Sequence, residues 1–186
     1  FIHKFILHKG YTSFSLIGNS LGGHVALVYA TSHPEGVKNL ILTGSSGLYE
    51  NSSMGGSYPR RGDRDFIKEK VEYTFYAPES ATPELVDEVF EIVNNRLRII
   101  KILALAKSAI RHNMSKEVAK ITIPTCLIWG KDDKITPPEV AEEFHKLIPQ
   151  SNLYWIDRCG HAPMMERPSE FNAILAEWLK GKTETN

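Results

Sequence analysis

What most constrains this chain is a serine bracketed by glycines between an apolar run and a helical stretch. Ser13-Phe-Ser-Leu-Ile-Gly18 is short and apolar, and it predicts a strand buried on both faces. Asn19-Ser20-Leu21-Gly22-Gly23 reads as a sharp turn, and the stretch from His24 to His33 continues as a helix. Gly18-Asn19-Ser20-Leu21-Gly22 thus fits the pattern G-x-S-x-G at a strand-to-helix junction. A serine there sits in a strained turn, so its neighbours must be small. Its hydroxyl is lifted above the carboxyl edge of the sheet, and the helix aims its N-terminal amides at the same point. The amide of Leu21 is placed to stabilise a developing oxyanion. Small residues are common, so the five-residue pattern alone is weak. Its position between strand and helix gives it weight.

The elements around this turn alternate. A first helix carries Phe1, Ile2, Phe5 and Ile6 at helical spacing and ends at His8, Lys9 and Gly10. After the helix that follows Ser20 come Pro34 and a second apolar strand near Lys38–Thr43. Further strands are expected near Thr125–Trp129 and Asn152–Ile156, with a helix opening at Pro137-Pro138-Glu139 between them. An amphipathic helix, Pro168 to Leu179, closes the order with Phe171, Ile174, Leu175 and Trp178 on one face. This is the rhythm of a parallel α/β sheet.

The middle breaks the rhythm. Ser45 to Arg64 is rich in Gly, Ser and Arg and reads as a long loop. Asp65–Tyr76, Pro83–Asn95 and Leu97–Asn113 then give three amphipathic helical patterns with no strand between them. Thr82-Pro83-Glu84 is a well-formed helix start. The three helices are expected to sit as an insertion on top of the sheet.

With 186 residues the chain has room for one domain with a substantial core. Lys and Arg total 22 against 22 Asp and Glu, so no chain-wide basic field exists to attract nucleic acid or anionic lipid. No apolar run is long enough to span a membrane. The opening FIHKFILHKGY lacks the order of a signal peptide. These features point to a small-molecule partner, with neither nucleic acid nor membrane expected. Cys126 and Cys159 are in no metal-ligand spacing. Two thiols in a reducing cytoplasm is the preferred reading, with one disulfide as the alternative.

A serine hydroxyl is a poor nucleophile until a base takes its proton. His161, in Asp157-Arg-Cys-Gly-His-Ala-Pro just past a strand end, is the candidate base. His3, His8, His24, His33, His112 and His145 all fall on helical stretches or in the insertion. The imidazole needs a carboxylate to fix its tautomer, and Asp132 and Asp133 follow the strand ending in Trp129-Gly130. Either can form a turn instead. Ser20 Oγ is expected within hydrogen-bonding reach of one imidazole nitrogen, or somewhat further without ligand, with the carboxylate on the other.

At these three sites the chain resembles the α/β-hydrolases, and the resemblance covers essentially all of it. GNSLGG resembles their nucleophile elbow, PTCLIWGKDDKITPP their acid strand and loop (W-G-x-x-D-x-x-x-P), and CGHAPMMERP their histidine loop. The order Ser, Asp, His is the one this fold uses. The register selects Asp133, three residues after Gly130, with Asp132 in reserve. The resemblance implies an α/β fold with a mostly parallel sheet and a helical cap. It divides the chain into core (1–44), cap (45–119) and core (120–186). The family's opening strands and oxyanion loop have no counterpart upstream of Ser20. An N-terminally incomplete chain is therefore expected, with an exposed apolar edge and Leu21 as its only oxyanion donor, so that it hydrolyses esters weakly or not at all. Losing one such donor typically costs about 10²–10³ in turnover.

Ester hydrolysis is the expected reaction, since Ser20 stands where epoxide hydrolases and haloalkane dehalogenases of this fold carry aspartate. Gly18-Asn19-Ser20, Leu40-Ile-Leu-Thr-Gly44 and Gly47-Leu48 also resemble C–C hydrolases of meta-cleavage products. Those usually carry Trp after the histidine, where this chain has Ala162. A non-catalytic ligand-binding protein is the alternative from another class. No cofactor and no metal are implied, and a homodimer is compatible with the reading. Asn19, Met164 and Met165 are candidates for the substrate pocket, with core packing the alternative for the methionines. Arg60, Arg61 and Arg64 are read as a solvated loop in preference to an anion site.

Overall fold

The computed structural model describes residues 1–49 and 60–183. The elements are α1 (Ile2–Lys9), β1 (Phe14–Asn19), α2 (Leu21–Ser32), β2 (Val37–Thr43), α3 (Arg64–Tyr73), α4 (Pro83–Asn94), α5 (Arg96–Arg111), α6 (Ser115–Val118), β3 (Thr125–Gly130), α7 (Pro138–Leu147), β4 (Asn152–Ile156), α8 (Pro163–Glu166) and α9 (Pro168–Thr183). Half of the loop expected over 45–64, residues 50–59, lies outside the described residues.

The four strands form one parallel sheet in the order β1-β2-β3-β4. β3 shows why its sequence makes a strand. All six of its residues are buried, and successive side chains serve opposite faces. Leu127 and Trp129 enter a core with α2 and α7, against Leu27, Ala141 and Phe144. Cys126 and Ile128 enter a second core with α9, against Phe171 and Trp178. A segment buried on both faces reads as a continuous apolar run, and TCLIWG does.

β1 departs from that reading. Phe14, Leu16 and Gly18 turn towards the α2 side, but Ser15 and Ile17 are exposed, Ile17 at 56 %. β1 lies at the sheet edge, and among the described residues no helix covers its second face. Phe5 of α1 and Val25 and Val28 of α2 are exposed as well.

Helices α3, α4 and α5 carry a core of their own, built on Ile67, Val71, Phe75, Val86, Val93 and Ile99. Each starts on a side-chain cap. Asp63 accepts from the amides of Asp65 and Phe66, Thr82 from Leu85, and Asn95 from Leu97 and Arg98. Met114 and Val118 of the α6 region already pack in the core beneath the sheet.

Candidate active site

β1 ends at Asn19 and α2 begins at Leu21, so Ser20 alone must turn the chain. It does so at φ 53° and ψ −123°, a sparsely populated conformation that costs of order 1–3 kcal/mol and persists only when its surroundings enforce it. Here they do. The Ser20 amide donates to Thr43 O at 3.1 Å, and Ser20 O accepts from the amides of Gly23, His24 and Ser46 at 3.0, 3.2 and 3.0 Å. Gly18 has no alternative: a Cβ there would run into the main chain of Gly22 and Gly23. As the first residue of α2, Leu21 has an N–H with no carbonyl in its own helix to receive it.

His161 follows β4 in a loop that packs onto β3. Its Nδ1 lies 2.8 Å from Asp133 Oδ2, and both side chains are buried. Asp133 is fixed from every side. Its Oδ1 accepts from the amides of Ile135 and Thr136 at 2.8 and 3.0 Å, and its Oδ2 from Thr136 Oγ1 at 2.9 Å. Trp129 Nε1 donates to Thr136 O at 2.8 Å and holds that loop to the strand. Asp132 instead offers its main-chain N–H to Cys159 O at 2.9 Å. Asp133, selected by register, is thus the carboxylate facing the imidazole.

The His161 main chain is held as firmly as its ring. Its N–H donates to Thr74 O at 2.9 Å. Its carbonyl accepts from Asn19 Nδ2 at 3.0 Å, and the same nitrogen donates to Thr43 O at 3.0 Å. Asn19, expected in the pocket, is in the wall and also ties the elbow to the histidine loop. Glu166 went unforeseen. Its Oε1 accepts from the Ala77 amide at 2.7 Å and its Oε2 from the Gly160 amide at 2.6 Å, joining the end of the insertion's first helix to the residue before His161. Burial, with Glu166 adding to it, pushes the neighbouring Cys159 thiol up to about 12. Cys126 and Cys159 are both buried thiols, not joined in a disulfide.

A cavity of about 430 Å³ lies between the sheet edge and the insertion. Asn19, Ser20, Leu21 and His161 line its floor, with Val71 and Phe75 of the α3 region, Leu85 and Val89 of α4, and Ile102, Leu103 and Ala106 of α5 across from them. Met165 belongs to the wall. Met164 does not, because it packs between the insertion's core and the α9 core. Arg60 pairs with Asp63 and Arg64 with Asp87, and neither arginine, nor Arg61, lines the cavity. Ser20 Oγ makes no hydrogen bond among the described residues, so the closer of the two expected arrangements with His161 is not formed. Such contacts often tighten only when substrate is bound. The remaining histidines have other neighbours: His3 stacks near His33, His24 lies 3.1 Å from His112, and His145 meets Ser151. Among the described residues no group of three His, Cys, Asp or Glu is arranged to hold a metal, and no helix is long and apolar enough to cross a membrane.

Comparison with known proteins agrees with this fold. The model of a family described as the alpha/beta hydrolase family matches residues 1–174. Lipase 3 of Moraxella sp. (strain TA144) is 30 % identical over 177 residues, covering 89 % of this chain and 56 % of its own. A 2-hydroxy-6-oxononadienedioate/2-hydroxy-6-oxononatrienedioate hydrolase of Pseudomonas sp. is 27 % identical over 185 residues, covering 88 % and 62 %. Among solved structures, an alpha/beta hydrolase enzyme from the metagenome of sediments from the lagoon of Mar Chica, Morocco, superposes with a TM-score of 0.74 at 46 % identity, covering 98 % of this chain and 68 % of that one. The chain thus spans 56–62 % of the length of these two curated relatives.

Proposed function

The chain belongs to the α/β hydrolase family, and from that premise we propose that it is a serine hydrolase of carboxylic esters, working through Ser20, His161 and Asp133. One observation carries the reading. His161, 2.8 Å from the buried Asp133 carboxylate, lines the same cavity as a serine held in a strained turn. Ser20 Oγ attacks the ester carbonyl while His161 Nε2 takes its proton. The Asp133 carboxylate keeps the Nδ1 proton in place and stabilises the imidazolium. The Leu21 N–H stabilises the oxyanion of the tetrahedral intermediate. His161 then returns the proton to the departing alcohol, and water, activated by the same imidazole, releases the acid.

The buried, unbridged thiols support a reducing, cytoplasmic setting. C–C bond hydrolysis is the second reading, supported by the relative from Pseudomonas sp. and by Gly18-Asn19-Ser20. Against it stands Ala162 beside the histidine.

The test is hydrolysis of short chromogenic esters and labelling by a fluorophosphonate, each with Ser20→Ala as the blank. Ser20-dependent labelling is expected, together with weak Ser20-dependent turnover. A folded protein that does neither overturns the proposal. Turnover of a meta-cleavage dienoate with none of esters selects the second reading.

A further inference from the structure

The cavity wall uses only one side of α5, and the other side of that helix is built differently from the rest of the surface. α5 carries Arg96, Arg98, Lys101, Lys107 and Arg111, and no acidic residue. Among the described residues none of the five has an ion-pair partner. The acidic residues of neighbouring α4 (Glu84, Asp87, Glu88 and Glu91) make no ion pair with α5 either. The net charge of zero therefore conceals a local segregation.

Between these cations stand large aliphatic side chains that are exposed among the described residues. Leu97, Ile100 and Leu105 are 74 %, 56 % and 55 % exposed. At one hundred degrees per residue, Leu97, Ala104 and Ser108 share the side opposite Ile99, Ile102 and Ala106, with Ile100 and Leu105 about 60–80° to either side of Leu97. Arg111 lies between Leu97 and Ile100, Arg96 and Lys107 lie beyond Ile100, and Lys101 and Arg98 stand on either side of Leu105. A helix face that sets exposed aliphatic side chains among Lys and Arg is suited to lie in the plane of a membrane interface.

We infer that the outer face of α5 docks onto an anionic lipid bilayer, as a peripheral contact and not as a span. Two observations favour lipid over other polyanions and over a second copy. Nucleic acid has no use for three exposed aliphatics, and α5 has no aromatic side chain on which a base could stack. A second copy meeting the same face would set five cations against five. A third observation links the face to the cavity. Ile102 and Ile110 line the cavity yet remain 39 % and 51 % exposed, so its rim runs beside α5. Docking α5 thus sets that rim against the lipid. The inference does not depend on Ser20 being the nucleophile.

The experiment is co-sedimentation of the protein with phosphatidylcholine vesicles, with and without phosphatidylglycerol. Binding is expected only to the anionic vesicles. It should weaken steeply between about 0.05 and about 0.5 M salt, as the Debye length shrinks. Each Lys or Arg near such a surface contributes about fivefold, so Arg98→Ala with Lys101→Ala should weaken binding about 25-fold. Leu97→Ser with Leu105→Ser should remove the binding that survives high salt. Ser20→Ala should bind as the parent does. All four α5 positions are exposed, and melting curves verify the fold. The lipid and salt dependence of the unaltered protein tests the inference even where a variant does not fold. Equal binding to neutral vesicles, or no binding to anionic ones, overturns it. So does self-association abolished by the same variants, or a single-stranded oligonucleotide bound as tightly as the vesicles.

Discussion

Asp133 Oδ2 lies 2.8 Å from His161 Nδ1, while the adjacent Asp132 turns its amide to Cys159 O at 2.9 Å. Two neighbouring carboxylates thus have unrelated surroundings, and substitution separates them. Asp133→Asn keeps the shape but places an amide where an acceptor is needed, favouring the wrong imidazole tautomer. Turnover should fall by roughly 10⁴. Asp132→Asn should change it less than about threefold. Steady-state ester hydrolysis by the two variants is the measurement, and equal small effects would remove Asp133 from the mechanism.

The Cys159 thiol supplies a pH dependence of stability that is independent of catalysis. Burial raises it from 9.0 to about 12, so the folded protein holds this proton more tightly than the unfolded chain. A raised folded value contributes stability that is complete below the unfolded one. That stability is lost as pH rises from about 9 towards about 12. Denaturant unfolding should show this decline across the alkaline window, and Cys159→Ala should flatten it. A thiol reagent at mildly alkaline pH should leave native Cys159 unmodified and label it on unfolding. Rapid labelling of Cys159 in the folded protein would contradict this account.

Local pattern foretold those parts of the molecule that local pattern determines. TCLIWG is apolar throughout because both faces of β3 are covered, and its strand ends one residue from the expected position. Thr82-Pro83 announced α4, since a cap and a proline act on the next turn alone. Ser20 was readable because it stands directly after β1, and His161 because it lies in the loop that follows β4. The exposed face of β1 was not readable, because SFSLIG states what the strand can bury and not what lies beside it. Net charge likewise averages over the surface and says nothing of how α4 and α5 divide it. Glu166 escaped because its partners, Ala77 and Gly160, meet it only through tertiary folding.

Gly44 stands where β2 hands the chain to the loop behind His161. Its φ of 47° is strained for any side chain, and a Cβ would lie 2.9 Å from His161 Nδ1. Gly44→Ala must therefore displace the imidazole or distort the end of β2. Melting temperature should drop, with about 1–3 kcal/mol lost. Turnover should fall further than the folded fraction does, because the displaced group is the catalytic ring. Fluorophosphonate labelling compared with the folded fraction distinguishes the two losses. A variant with parental turnover would show that the loop yields without moving His161.

Glu166 allows a sharper separation of packing from hydrogen bonding. Both its oxygens accept from main-chain amides, Ala77 on the insertion and Gly160 beside the histidine. Glu166→Gln is nearly isosteric, so packing is kept, but an amide has one acceptor and would turn an N–H towards the other N–H. A buried or half-buried donor left unmet costs about 1–3 kcal/mol, and that loss should appear in denaturant unfolding. The position of the bond predicts more. Gly160 precedes His161, whose own amide is held by Thr74 O at 2.9 Å, so a loosened strap frees the histidine loop and the cavity wall together. Turnover on a short ester should fall about tenfold with little change in KM, because a mispositioned base weakens the transition state and leaves ground-state binding intact. Glu166→Asp keeps both acceptors but is one methylene too short to reach both amides, and it should recover stability without recovering turnover. Unfolding curves and steady-state kinetics of the two variants decide the matter. A Gln variant destabilised but fully active would reduce Glu166 to a structural strap.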